Sequence, residues 1–293
     1  MFIMKDCYIF LLGLIAGGAI SAQGDTIYSN DFDDYSKSAS YSVEDWGFDW
    51  LQPDWESGVS EGRVEIVEGQ EARNGSGACL AVHFPEGIEG TKGSGAQWKM
   101  EFYGSYSKVE LSYWVKFGED FDFVRGGKLP GLAGGSAPSG RARSSFEKGW
   151  AARLMWRTDD LTAASNGEHT RTRMCTYLKH PTSGFDNEGK DEDLLFWNWS
   201  LSGSDVRLSS DKWYRITQVI TMNDPGKANG RVEAWVGKSH VLSESGYEFR
   251  DDLDLGSDQL FFSVFFGGGD SSWETSKDEV IYFDDIQIKV LED

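Results

Sequence analysis

The sequence predicts an all-β chain folded as a jelly-roll β-sandwich with one concave face. Three observations carry this. Short runs rich in β-branched and aromatic residues recur along the chain, broken by Gly, Ser, Asp and Asn. Apolar and polar residues alternate within those runs with period two, which places alternate side chains on opposite faces of a sheet. Helical periodicity is nearly absent after the first residues, so many short antiparallel strands around one core is the economical reading.

The elements follow in order. Met1–Ala22 reads as a targeting segment: Lys5 precedes an apolar run from Tyr8 to Ile15, and small residues end it at Ile20-Ser21-Ala22. That run is short for a membrane span. Cleavage after Ala22 is expected, leaving 23–293 as one domain that is secreted or periplasmic and has no membrane contact thereafter. The predicted strands are Arg63–Val67, Cys79–Phe84, Gln97–Tyr103, Lys108–Phe117, Trp150–Trp156, Arg171–Leu178, Trp213–Met222, Gly230–Val236, Gln259–Phe266 and Val280–Ile288. Between the fourth and fifth lies the stretch Phe121–Gly135, whose glycines and proline around Lys128 read as a rigid corner that holds this lysine in position. Ala133–Ser145 and Asp159–Gly167 read as loops.

A formal net charge of −20 argues against nucleic acid as a partner. The charge is unevenly spread. Arg125, Lys128, Arg141, Arg143, Lys148, Arg153, Arg157, Arg171, Arg173 and Lys179 crowd one stretch, while acids gather at Asp31–Asp34, Asp186–Asp193 and Asp251–Asp258. A basic cleft in an acidic shell would reconcile solubility with capture of an anion. The 12 tryptophans exceed the needs of one core, so some are expected to line a sugar-binding groove. Cys79 and Cys175 remain after loss of the leader, either paired or as two separate buried thiols. The four histidines are not spaced for ligation, so no metal or other cofactor is expected. The chain is expected to act as a monomer.

Period two also sorts the candidate site residues. Trp150, Ala152, Leu154 and Trp156 share one side of their strand, and Ala151, Arg153, Met155 and Arg157 the other. In the next strand, Arg171, Arg173, Cys175, Tyr177 and Lys179 share a side that is too polar for core.

The stretch Gly126-Gly127-Lys128-Leu129-Pro130-Gly131, followed by Trp150-Ala151-Ala152-Arg153-Leu154-Met155-Trp156-Arg157, resembles polysaccharide lyase family 14, which includes alginate and glucuronan lyases. The resemblance runs from about Ser107 to the C-terminus. It implies an acidic, uronate-containing polysaccharide as substrate and β-elimination as chemistry, with Lys128 matching the family's catalytic lysine and Arg153 its functional arginine. The family's serine two positions before that arginine is Ala151 here. Its pair of tyrosines on the following strand aligns with Tyr177 and Lys179, or, shifted by two, with Cys175 and Tyr177.

Elimination requires removal of the proton on C5 of a uronate and departure of the oxygen on C4. The neighbouring carboxylate must be neutralised so that the enolate-like transition state can form, and a base and an acid must be in reach. Lys128, Arg153, Tyr177 and Lys179 supply these types if nearby cations lower the pKa of the tyrosine or lysine. Arg125, Arg173, Trp273 and His180 are expected to bind substrate around them. Two other functions compete: a non-catalytic carbohydrate-binding module, and a glycoside hydrolase, which would need two carboxylates facing one groove.

Overall fold

The computed structural model describes residues 24–35, 41–140, 142, 144–158, 171–182, 196–268 and 270–292. The leader at 1–22, Arg141, Arg143, the stretch 159–170 and the acidic run at 186–193 lie outside them. In chain order the elements are β1 (Asp25–Asn30), α1 (Val43–Asp49), β2 (Glu56–Ser57), β3 (Val64–Glu68), β4 (Ala78–Phe84), β5 (Ala96–Tyr106), β6 (Lys108–Phe117), β7 (Gly126–Gly135) and β8 (Gly149–Arg157). They continue with β9 (Arg171–Lys179), β10 (Phe196–Asn198), β11 (Ser200–Leu201), β12 (Ser204–Asp205), β13 (Arg207–Ser209), β14 (Trp213–Thr221), β15 (Gly230–Val236), β16 (Ser239–Tyr247), β17 (Ser257–Phe266) and β18 (Glu279–Val290).

Two eight-stranded antiparallel sheets face each other. The back sheet runs β16-β15-β14-β6-β18-β4-β3, with β1 added on β18; the front sheet runs β10-β9-β8-β7-β17-β5-β2, with β13 added on β9. Their inner faces meet in an aromatic core, where Trp98 stacks on Phe262 at 4.1 Å and Phe262 meets Phe283 of the back sheet at 5.2 Å. Five of the 12 tryptophans, Trp50, Trp98, Trp150, Trp156 and Trp199, are fully buried there. The one α-helix among the described residues is short and capped by Ser42, whose hydroxyl accepts from the Asp45 amide at 3.1 Å. No helix among the described residues is long and apolar enough to cross a membrane.

The sequence reading of 126–135 as a corner is corrected: it is β7, a ten-residue strand in the middle of the front sheet between β8 and β17. Glycine ordinarily weakens a strand, but here it makes room. A side chain on Gly127 would collide with the Trp156 ring, and one on Gly134 with Trp150. The alternation is also broken by a bulge, because Pro130 and Gly131 together stand opposite Arg153 alone. Leu129 and Leu132, three apart, therefore both enter the core.

The bulge leaves backbone groups without strand partners, and the back sheet satisfies them. Gln218 of β14 accepts from the Leu132 amide at 2.9 Å and donates to the Ala152 carbonyl at 2.8 Å. Tyr113 of β6 donates its hydroxyl to the Pro130 carbonyl at 3.2 Å. Buried main-chain groups need such partners, so two residues of one sheet hold the shape of the other. Cys79 sits on β4 and Cys175 on β9, in opposite sheets, and both are free thiols.

Candidate active site

The outer face of the front sheet carries the candidate residues, and the registers set them in rows across the strands. One row reads Lys99 (β5), Phe261 (β17), Gly131 (β7), Arg153 (β8), Tyr177 (β9) and Phe196 (β10). Gly131 adds nothing to the outer surface, so the Arg153 guanidinium can lie 4.9 Å from the Phe261 ring and 5.6 Å from that of Tyr177. A second row reads Phe265, Lys128, Met155, Cys175 and Asn198.

Lys128 joins the two rows. Its ammonium lies 3.6 Å from the centre of the Tyr177 ring, 5.4 Å from that of Phe196 and 3.0 Å from Met155 Sδ. It is only 8% exposed, so it is a buried cation on a central strand and not a surface residue. A cation over a π face is attracted by the ring quadrupole, more so when desolvated. Arg153 is buried too. Its Nη1 donates to Ser263 Oγ at 3.1 Å, and that hydroxyl lies 3.4 Å from Gln97 Oε1. Its Nε has no hydrogen-bond partner among the described residues, and no described carboxylate lies within ion-pair distance. Burial holds its pKa down at about 10.

The remaining candidates divide. Arg173 stands opposite Arg157 on this face and pairs with Asp205 at 3.6 Å, while the Arg157 guanidinium lies 4.4 Å from the Phe196 ring. Arg125 enters β7 two residues before Gly127, with its guanidinium 5.0 Å from the Trp273 ring and hydrogen-bonded to Ser272. Lys179 is on the expected face, but its ammonium, 1% exposed as a residue, is given to the carbonyls of Gly140 and Ala142, the latter at 2.8 Å. There it anchors the loop after β7. His180 lies apart from these residues. It follows Lys179 directly, emerges on the other side of the strand, and packs 5.1 Å from Tyr247 and 6.2 Å from Phe249. Burial pushes its pKa down to about 4, which keeps the ring neutral at neutral pH.

Phe261, Phe196, Ser263, Gln97 and Lys99 were not singled out by sequence. The run Leu260-Phe261-Phe262 is apolar throughout, which hides which ring faces out. Among the described residues no group of three or more His, Cys, Asp or Glu could hold a metal ion. Asp284 and Asp285 both pair with Arg73, at 3.6 and 2.5 Å.

Comparison with solved structures finds the same sandwich in proteins of low identity. An alginate lyase called Aly36B superimposes with a TM-score of 0.70 at 21% identity, covering 91% of this chain and 98% of its own. The PL-14 alginate lyase of Aplysia kurodai gives 0.66 at 22% identity, over 91% and 99%. The alginate lyase vAL-1 of Chlorella virus gives 0.60 at 19%, over 85% and 96%. At such identities the likeness defines the fold, a lyase-type β-sandwich. No curated protein matches the chain. A model of the polysaccharide lyase 14 family matches residues 72–286, and the chain belongs to that family. It is a polysaccharide lyase, which sets aside the binding-module and hydrolase readings.

Proposed function

We propose that the protein cleaves an acidic, uronate-containing polysaccharide such as alginate or glucuronan by β-elimination, with Arg153, Lys128 and Tyr177 as the reacting set. The observation that carries this reading is the buried Arg153 guanidinium, which has no carboxylate partner among the described residues and stands in the row that ends at Tyr177. A buried cation without an anion is costly. A substrate carboxylate presented there would be held by charge-assisted hydrogen bonds, in two-point fashion if Nε takes part.

With the carboxylate neutralised, the C5 proton becomes removable. The C5–H electron pair forms the C4=C5 double bond, the C4–O4 bond breaks, and O4 leaves with a proton. Lys128 and Tyr177, in contact, are the base that takes the C5 proton and the acid that supplies O4. Lys179 acts one step back by holding the 136–148 loop beside the row. Arg173, Arg125 and Trp273 flank the set and suit contacts with neighbouring sugar units. The chain of sugars is taken to run along the row, across the strands. Removal of residues 1–22 and export from the cytoplasm complete the reading, with the enzyme working as a monomer on polymer outside the cell.

Support also comes from the company the fold keeps. A structure of Aly36B with a lysine and a tyrosine replaced by alanine holds an alginate tetrasaccharide in complex. The decisive experiment is incubation of purified protein with a panel of polyuronates, read by the ultraviolet absorbance of an unsaturated uronate. Appearance of that absorbance with new chain ends is expected; new reducing ends without it would overturn β-elimination.

A further inference from the structure

At the β5 end of the Arg153 row the outer face opens into a cavity of about 270 Å³, lined among others by Trp55, Lys99, Glu101, Ser136 and Gln259. Three features make it a prepared place and not a surface irregularity. Lys99 stands opposite Phe261, with its ammonium 5.3 Å from the ring whose other neighbour is Arg153 at 4.9 Å. Its ammonium donates to a main-chain carbonyl, that of Ser136 at 2.6 Å, and no described carboxylate lies within ion-pair distance of it. Gln259 is 3% exposed; its Nε2 donates to the Gly135 carbonyl and to Asp258, while its Oε1 is buried without a partner among the described residues. Trp55 is 43% exposed, which leaves an indole face accessible at the rim.

We propose that this cavity is a second sugar subsite, in which Lys99 holds the carboxylate of the uronate unit next to the one at Arg153 and Gln259 Oε1 accepts a hydrogen bond from one of its hydroxyls. The inference rests on the reading of the Arg153 row as the place of cleavage. It follows from spacing and chemistry together. Two half- or fully buried cations flank a single aromatic ring, and each lacks a carboxylate partner among the described residues. A buried amide oxygen with no donor asks for a hydroxyl. Burial and the nearby Arg153 charge hold the Lys99 pKa down, against the opposing charges of Glu101 and Asp258. Glu101, on the same face two residues along, bounds the subsite and would repel a further anion at that end. The protein therefore selects chains with two consecutive uronates over chains in which uronates alternate with neutral sugars.

The test uses the full-length protein and its Lys99→Gln, Lys99→Arg and Gln259→Leu variants. Each is assayed on a uniform polyuronate and on the same polymer with part of its carboxyls chemically reduced. A charge-assisted contact of this kind predicts a rise in KM of about tenfold for Lys99→Gln on the uniform polymer, with kcat within about threefold. Lys99→Arg should keep most of the affinity, and Gln259→Leu should raise KM by a smaller factor. Wild type should lose kcat/KM on the reduced polymer more steeply than Lys99→Gln does. Unchanged KM in Lys99→Gln, or a fall in kcat alone, overturns the subsite. Retardation of each protein in a gel containing the polyuronate gives a readout that does not depend on turnover. If wild type forms no unsaturated product, the elimination reading fails. The subsite still stands or falls on whether Lys99→Gln is retarded less than wild type.

Discussion

The ammonium of Lys128 lies 3.6 Å from the centre of the Tyr177 ring, although the two residues belong to strands that are not neighbours. β8 runs between them, and the contact is diagonal: Lys128 stands opposite Met155, whereas Tyr177 stands opposite Arg153. Neither side chain can be moved without the other being felt, so the pair should behave as one unit in kinetics.

Lys128→Met and Tyr177→Phe are each expected to lower kcat by roughly 10²–10³-fold or more. The double variant should be scarcely worse than the worse single one, because groups acting together are not additive. Steady-state rates of unsaturated-uronate formation check this, and a fully additive loss would separate the two roles. Since Lys128 is buried on a central strand, Lys128→Ala should also cost about 1–3 kcal/mol of stability, which thermal melting measures.

Arg153→Met removes a buried charge that has no described carboxylate partner, and puts an unbranched apolar chain in its place. Turnover on polyuronate should vanish while Tm holds or rises, since apolar replacement of buried charge is often neutral or stabilising by about 1–4 kcal/mol. A large fall in Tm would mean the guanidinium holds the sheet together.

Lys179→Met should release the carbonyls of Gly140 and Ala142 and loosen the 136–148 loop. The expected result is faster proteolytic cleavage within that loop and a raised KM, with kcat falling less than about tenfold, well short of the loss expected for a group acting as acid or base. A kcat loss equal to that of Lys128→Met would return Lys179 to the reacting set.

Glu279, 5% exposed, accepts from the Asp122 amide at 2.8 Å, and burial raises its pKa from 4.5 to about 7. A carboxyl with a raised folded-state pKa binds its proton more tightly in the native than in the unfolded chain. Its effect on stability is therefore fully favourable below about pH 4.5 and is lost as pH rises through 7. Glu279→Gln keeps the acceptor and removes the ionisation. It should raise Tm at pH 8, by an amount corresponding to roughly 1–3 kcal/mol, and leave Tm little changed at pH 4.5. A Tm gain at pH 4.5 as large as at pH 8 would sink the assignment.

Much of this was legible in the sequence. The strands Lys108–Phe117 and Gly230–Val236 are found with the ends that alternation gave them. The same alternation put Arg173, Tyr177 and Lys179 on one face of their strand, and it also turns His180, next to Lys179, to the other side, since adjacent strand residues cannot share a face. β7 was not legible as a strand, because glycine and proline are poor strand residues and the bulge at Pro130–Gly131 breaks the period. What makes it a strand lies elsewhere in the chain, in the rings of Trp150 and Trp156 and the side chains of Gln218 and Tyr113. β16 was missed for the opposite reason: Ser239–Tyr247 is an edge strand with largely polar residues and little apolar signal.

The bulge at Pro130–Gly131 has a consequence for how substrate preference can change. The middle of the front sheet's outer face is shaped from behind, by Gln218 and Tyr113 reaching through the core, and from within, by rings that leave no space for a side chain at Gly127 or Gly134. A substitution there must be accommodated by both sheets at once. The ends of the row carry no such obligation: Phe196 lies on a three-residue edge strand, and Lys99 opens onto a cavity. Selection for a different polymer can act on the rim while the centre stays fixed, so variants with new specificity are to be sought on β10, on β5 and in the loop held by Lys179.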